Sequence, residues 1–214
     1  MSMRPYLTIL HPGEDEFVEK RSRFIGRIRP VTTEQQALDF INEMRAKHWD
    51  ATHNCYAYVL REGQTRRYSD DGEPQGTAGV PMLDVLLGAG LTDVAVVVTR
   101  YFGGVLLGTG GLVRAYSKGA RVAVDATGIV TMQPCQLGMV TCDYNQYGRI
   151  SALIPQLGGK VEDAQFGMVV VVNFSIPCEQ VGALEKALAD ATRGEIIPRL
   201  TEIRYMPCEK GFDR

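Results

Sequence analysis

No stretch of the 214-residue chain approaches the roughly 18–20 consecutive apolar residues that a membrane-spanning helix needs, and the opening MSMRPYLTIL carries no signal-peptide apolar region. A cytoplasmic protein without a membrane partner is therefore expected. Cysteine is scarce: Cys55, Cys135, Cys142, Cys178 and Cys208 are scattered, odd in number and without a C-x-x-C spacing. That favours free thiols in a reducing compartment over a disulfide framework or a zinc site. The three histidines (His11, His48 and His53) lie in no motif, no Ser-His-Asp arrangement is visible, and no G-x-x-x-x-G-K-[ST] phosphate loop occurs. An excess of one charge is missing too. The 23 Lys+Arg against 25 Asp+Glu leave a net charge of −2, which argues against a surface that binds polyanions everywhere. Trp49 is the only tryptophan; it follows a predicted helix and is expected to be a packing anchor.

The most informative absence is local. No Asp or Glu lies between Asp93 and Asp125, although this stretch carries Arg100, Arg114, Lys118 and Arg121. Val94 to Val98 reads as a buried strand ending at Thr99-Arg100-Tyr101-Phe102. Glycines follow at 103, 104, 108, 110 and 111, and then a helix running to about Thr127. A strand, a glycine-rich turn and a helix N-terminus can form an anion site, because free backbone N–H groups and the helix dipole point at its occupant. The alternative is that the glycines only let a helix pack closely on a sheet. Arg114, Lys118 and Arg121, spaced i, i+4 and i+7, share one helix face. Exposed faces commonly interleave both signs, and this one does not.

Before this stretch, Tyr6–Leu10, Glu14–Glu19 and Phe24–Pro30 read as strands, the last two joined by the basic run Lys20-Arg21-Ser22-Arg23. Thr33–Lys47 reads as a helix with a Thr33/Gln36 capping box and a core face of Ala37, Leu38, Ile41 and Met44. Asn54–Leu60 and Thr65–Ser69 form a predicted hairpin, and Pro81–Leu87 a short helix. Between them, Asp70, Asp71 and Glu73 fall within four residues around an Asp-Gly turn. They lack EF-hand spacing; they fit either a divalent-metal site or a capped structural turn.

The second half repeats an alternation of its own. Strand Gln136–Asp143, helix Gln146–Leu157, a strand from Lys160 that breaks around Gln165–Gly167, strand Met168–Ile176, helix Pro177–Thr192 and strand Glu195–Tyr205 give the order βαββαβ of a ferredoxin-like fold. Pro198 suggests a sheet edge or bulge, and the last nine residues, MPCEKGFDR, a loose tail. Residues 1–133 carry 15 charges of each sign, whereas 134–214 are slightly acidic, with 8 Lys+Arg against 10 Asp+Glu. A polyanion is thus expected on the first part.

Three motifs in order resemble the IMPACT family in its bacterial, YigZ-like form: KRSRFI at Lys20–Ile25, YSDDGEPQGTAG at Tyr68–Gly79 and RYFGGVLLGTGGLVRAY from Arg100. The first departs from the family's K-S-R-F-I by the inserted Arg21. The resemblance covers essentially the whole chain. It implies an α+β protein of two domains. Residues 1–133 would adopt a two-layer fold of ribosomal-protein type, with helices on one face of a mostly antiparallel sheet and a left-handed βαβ crossover. Residues 134–214 would form a ferredoxin-like domain similar to the last domain of elongation factor G. Eukaryotic members of the family are linked to translational control through a further N-terminal domain; none is expected here, so the partner interaction it provides is not carried over.

Three functions stay open at this level. The first is a regulator of translation that binds RNA or the ribosome. Its candidate residues are Arg100, Tyr101, Gly103, Gly104, Gly110, Gly111, Arg114, Lys118, Arg121, Lys20 and Arg23. Phe102 beside Tyr101 offers stacking, and Arg21, Arg66 and Arg67 support the basic surface. The second is an enzyme acting on a phosphorylated small molecule or nucleotide, with Asp70, Asp71 and Glu73 as metal ligands or general base. The third is a protein-interaction scaffold. No cofactor is expected, and within the first reading the acidic turn is expected to hold Arg100 by charge-assisted hydrogen bonds.

Overall fold

The computed structural model describes residues 3–208, which divide into two compact units, residues 6–131 and residues 3–5 with 132–208. The first unit runs β1 (Tyr6–Thr8), β2 (Gly13–Glu19), β3 (Ser22–Pro30), α1 (Glu34–Lys47), β4 (His53–Val59), β5 (Arg66–Ser69), α2 (Gly79–Gly88), β6 (Val94–Tyr101) and α3 (Thr109–Asp125). Its antiparallel sheet has the order β2-β3-β6-β4-β5. The most apolar strand, β6, lies at its centre, where both faces are covered.

Strand periodicity sorts the core. Val94, Val96 and Val98 point to the layer built by α2 and α3, with Met82, Leu86, Leu112 and Tyr116. Ala95 and Val97 point to α1, with Phe40, Ile41 and Met44. Each fully buried valine contributes on the order of 1.5–3 kcal/mol. The expectation of helices on one face is therefore corrected: α1 covers the opposite side. Successive β6 side chains leave the strand on opposite sides, and both sets are apolar.

Helix α1 begins where its cap predicts. Thr33 Oγ1 accepts the Gln36 amide at 3.2 Å, but the Gln36 side chain returns to the Thr32 amide, at 2.8 Å, rather than to the cap residue itself. Phe40 takes the core position expected of Leu38, which is exposed. Trp49 is 83% exposed and anchors nothing. It sits in the turn just beyond the end of α1, past the last core position of the helix.

Helix α3 lies unusually close to the sheet. A Cβ on Gly26 of β3 would stand 2.0 Å from the Gly119 carbonyl oxygen, and one on Gly119 would stand 2.8 Å from Val98. Close helix-on-sheet packing thus rests on Gly26 and Gly119, outside the glycine-rich turn. The glycines of that turn play separate parts. Gly104 and Gly108 have φ of 81° and 73°, and a Cβ on Gly103 would reach 2.0 Å from the Arg21 carbonyl oxygen.

The second unit contains most of β7 (Val130–Cys142), then α4 (Tyr144–Gln156), β8 (Lys160–Phe166), β9 (Val170–Pro177), α5 (Val181–Thr192) and β10 (Arg199–Pro207). The strands pair in the order β10-β7-β9-β8, all antiparallel, which is the ferredoxin-like arrangement. β7 starts at Val130 rather than Gln136, and β8 is continuous through Gln165. Pro198 lies just before β10, and Met206 and Pro207 belong to that strand instead of to a tail. The rest of the expected tail, from residue 209, lies outside the described residues.

Candidate nucleic-acid interface

The acidic turn folds onto itself and onto the sheet. Asp70 accepts the amides of Gly76, Ala78 and Gly79 at 2.8–3.0 Å, the last two at the start of α2. Asp71 accepts the Asn54 amide at 2.7 Å and pairs with Arg45 at 2.8 Å. Its φ of 43° and the 87° of Gly72 are the left-handed pair that an Asp-Gly turn allows. Glu73 turns inward and binds the Arg100 guanidinium at 2.6 Å and the Tyr116 hydroxyl at 2.7 Å. His53 Nε2 stands 3.7 Å from the same carboxylate oxygen. The three carboxylates are thus spent on separate protein donors, and among the described residues no group of three or more His, Cys, Asp or Glu converges as metal ligands. Each carboxylate thus acts as an acceptor that ties the turn to the surrounding chain.

Arg100 requires a correction. β6 continues through Tyr101, so Arg100 shares the parity of Val94, Val96 and Val98 and points under α3. It is 4% exposed, with Ser22 Oγ at 3.3 Å and the Phe24 and Phe102 rings at 5.5 and 5.3 Å from its guanidinium. It stands inside the protein, not on a binding surface. Tyr101 has the other parity. Its hydroxyl meets His48 Nδ1 at 2.8 Å and Asp50 at 3.2 Å, on the α1 side of the sheet. Arg23, opposite Tyr101 in the ladder, faces that side as well and pairs with Glu16 at 2.6 Å. Neither joins the α3 cations, because adjacent strand positions lie on opposite faces.

Buried next to Arg100 are two groups that a sequence-level search for nucleophiles would notice. Burial pushes the Cys55 thiol and the Tyr116 phenol well above their ordinary pKa ranges. Both remain protonated donors, Cys55 to the Asp70 carbonyl at 2.9 Å and Tyr116 to Glu73.

The remaining candidates do come together. Lys20, Gly111, Arg114 and Lys118 line one pocket of about 180 Å³, with Phe17, Glu19 and Leu107. Lys20 and Arg21 form the tight β2–β3 turn at φ of 45° and 69°, the Arg21 carbonyl packed beside Gly103. Lys118 Nζ stands 4.2 Å over the Phe17 ring. Gly110 and Gly111 belong to the first turn of α3, where the Gly108 cap supplies no side-chain acceptor. Arg114, Lys118 and Arg121 are exposed, and none of the three has an ion pair among the described residues. Arg121 lies farther along, in a shallow groove of about 300 Å³ with Val113, Ser117, Arg114 and Lys118. Gly104 sits in the exposed loop before α3 together with Val105 and Leu106. Arg66 and Arg67 lie on β5, at the opposite edge of the sheet from β2.

Phe17 and Leu107 escaped the sequence reading although they wall the pocket. Phe17 is the inward residue of a mainly polar strand, a signal available from alternation; Leu107 belongs to an irregular loop and gives none.

Comparison with known proteins matches residues 20–124 to the Impact N-terminal domain and residues 140–195 to a domain of unknown function, DUF1949. IMPACT family member YvyE of Bacillus subtilis is 36% identical over 205 residues, covering 95% of this chain and 94% of the relative. IMPACT family member YigZ of Escherichia coli is 38% identical over 180 residues, covering 83% and 88%. A solved structure titled as that of a hypothetical protein is 36% identical, covers 94% of this chain and 98% of its own, and aligns with a TM-score of 0.60. The first family match includes the β2–β3 turn, the acidic turn and the β6–α3 segment, the three places from which the buried Arg100 cluster and the cationic pocket are built; with relatives alike over nearly their full length, the chain belongs to the IMPACT family.

Proposed function

We propose that the protein is a regulator of translation that binds RNA, free or within the ribosome, through the α3 face of its first unit. The observation that carries this reading is the meeting of Lys20, Arg114 and Lys118 in one pocket, with Arg121 in the adjoining groove and no acid on α3 before Asp125. Phosphates take charge-assisted hydrogen bonds from such groups, and unpaired surface cations release counterions when a polyanion replaces the ions around them. The family resemblance directs the reading toward translation. Arg100, Tyr101 and Arg23 are left out of the interface, because each faces into the protein or across the sheet.

Filter binding of ribosomal and unstructured RNA over a salt series tests it. Substituting Arg114, Lys118 and Arg121 together by Gln should weaken binding and flatten the dependence of log K on log salt by about three contacts' worth. Unchanged affinity and slope would remove this face from the interface.

A further inference from the structure

Resting on the RNA reading, we infer that the pocket between the β2–β3 turn and α3 takes the terminal phosphate monoester of a strand, while the groove past Arg121 takes the phosphates that follow. Charge balance gives the first argument. Lys20, Arg114 and Lys118 face the pocket against the single carboxylate of Glu19, a surplus of two positive charges. A monoester carries about −1.5 to −2 at neutral pH and matches that surplus, whereas a bridging diester carries one charge and leaves the rest uncompensated.

Shape gives the second argument. The pocket is small, about 180 Å³, and is walled by Phe17 and Leu107. A diester in mid-strand needs an exit for chain on both sides. A terminal phosphate needs one, and the groove of Val113, Ser117 and Arg121, which shares Arg114 and Lys118 with the pocket, supplies it. The Phe17 ring under Lys118 Nζ holds the ammonium at the junction of the two spaces. Gly111 keeps the wall thin, since a Cβ there would crowd Leu107 at 3.0 Å.

The test uses the full-length protein and one oligoribonucleotide in 5′-phosphorylated, 3′-phosphorylated and unphosphorylated forms, with adenosine 5′-monophosphate as the small-molecule arm, read by fluorescence anisotropy and competition. One phosphorylated form should bind about tenfold tighter than the unphosphorylated strand. That advantage should vanish in Arg114→Gln/Lys118→Gln and grow in Glu19→Gln, whereas Arg121→Gln should weaken all strand forms alike. Circular dichroism and the melting temperature check that each variant is folded. Equal affinity of wild type for all strand forms overturns the terminal-phosphate assignment and leaves the RNA reading standing. If the mononucleotide binds as tightly as the phosphorylated strand, the RNA reading falls and the monoester pocket remains. If no strand binds, both fall.

Discussion

Arg100 and Glu73 form an ion pair of 2.6 Å whose side chains are 5% and 3% exposed, and Tyr116 completes it by donating to the same carboxylate oxygen. The two residues come from the two longest motifs of the chain, which this contact ties together. A buried pair stabilises only while both partners remain; removing one strands the other charge in a low-dielectric site. Glu73→Ala should therefore cost about 3–5 kcal/mol in chemical denaturation. The double variant Arg100→Met/Glu73→Leu should recover most of the loss, since no charge is left buried. A double variant as unstable as the single one would mean that the pair is needed for its geometry rather than its charge.

Asp70 separates the structural turn from a metal site. Its carboxylate satisfies three backbone donors, two of them at the positive end of α2. Asp70→Ala should cost about 1–3 kcal/mol, the range for orphaned donors. A chelator should leave the melting temperature of the wild type unchanged, and millimolar Mg²⁺ should not raise it. A metal bound by this turn would instead stabilise the fold by mass action, with a melting temperature that climbs with metal concentration.

His48 gives the fold a pH dependence of predictable sign. Its Nδ1 meets the Tyr101 hydroxyl, Nε2 is buried without a hydrogen-bond partner among the described residues, Arg27 and Lys47 approach as cations, and Glu14 and Asp50 oppose them. Burial first, then Arg27, lowers its pKa below the ordinary value. The unfolded chain therefore takes up the proton first, so full stability is present above about pH 6.5 and falls as the pH drops below it. His48→Gln should flatten the stability curve between the unfolded value and the lower folded one. Glu14, held below its usual range by the hydrogen bond to Arg27, acts in a separate and more acidic window. An unaltered curve in His48→Gln would assign the slope to other groups.

Much of this arrangement was legible from residue types and spacing. The apolar run of β6, the cap at Thr33 and the βαββαβ order all follow from local patterns, and the structure contains them. The cationic α3 face was legible for the same reason, because i, i+4 and i+7 positions meet on any helix. What failed was depth. A reading of Arg100 as a ligand contact leaves out strand parity: with β6 running to Tyr101, parity puts Arg100 inside and Tyr101 on the far face, and the hold of the acidic turn on Arg100 comes through Glu73. Trp49 looked like an anchor by size, yet it falls in the turn past the end of α1, where no core position remains. The meeting of Lys20 with Arg114 is long-range and leaves no trace in local sequence.

The glycines around α3 fall into two groups that substitution should distinguish. Gly26 faces the Gly119 carbonyl so closely that a Cβ would lie at 2.0 Å, and the obstacle is backbone on a packed helix rather than a movable side chain. Gly26→Ala must push α3 off the sheet and should cost at least the upper end of the about 1–3 kcal/mol typical of overpacking. Gly110 is different. It lies in the first turn of α3, and a Cβ there meets only the end of Arg114, at 3.7 Å. Gly110→Ala should gain about 0.5 kcal/mol by restricting the unfolded chain. Denaturation of the two variants, compared with wild type, should thus give shifts of opposite sign. If Gly110→Ala proves stable but loses RNA affinity, close approach of the ligand to the α3 backbone is what that glycine serves; if affinity is kept, the side chains of Arg114 and Lys118 carry the contact.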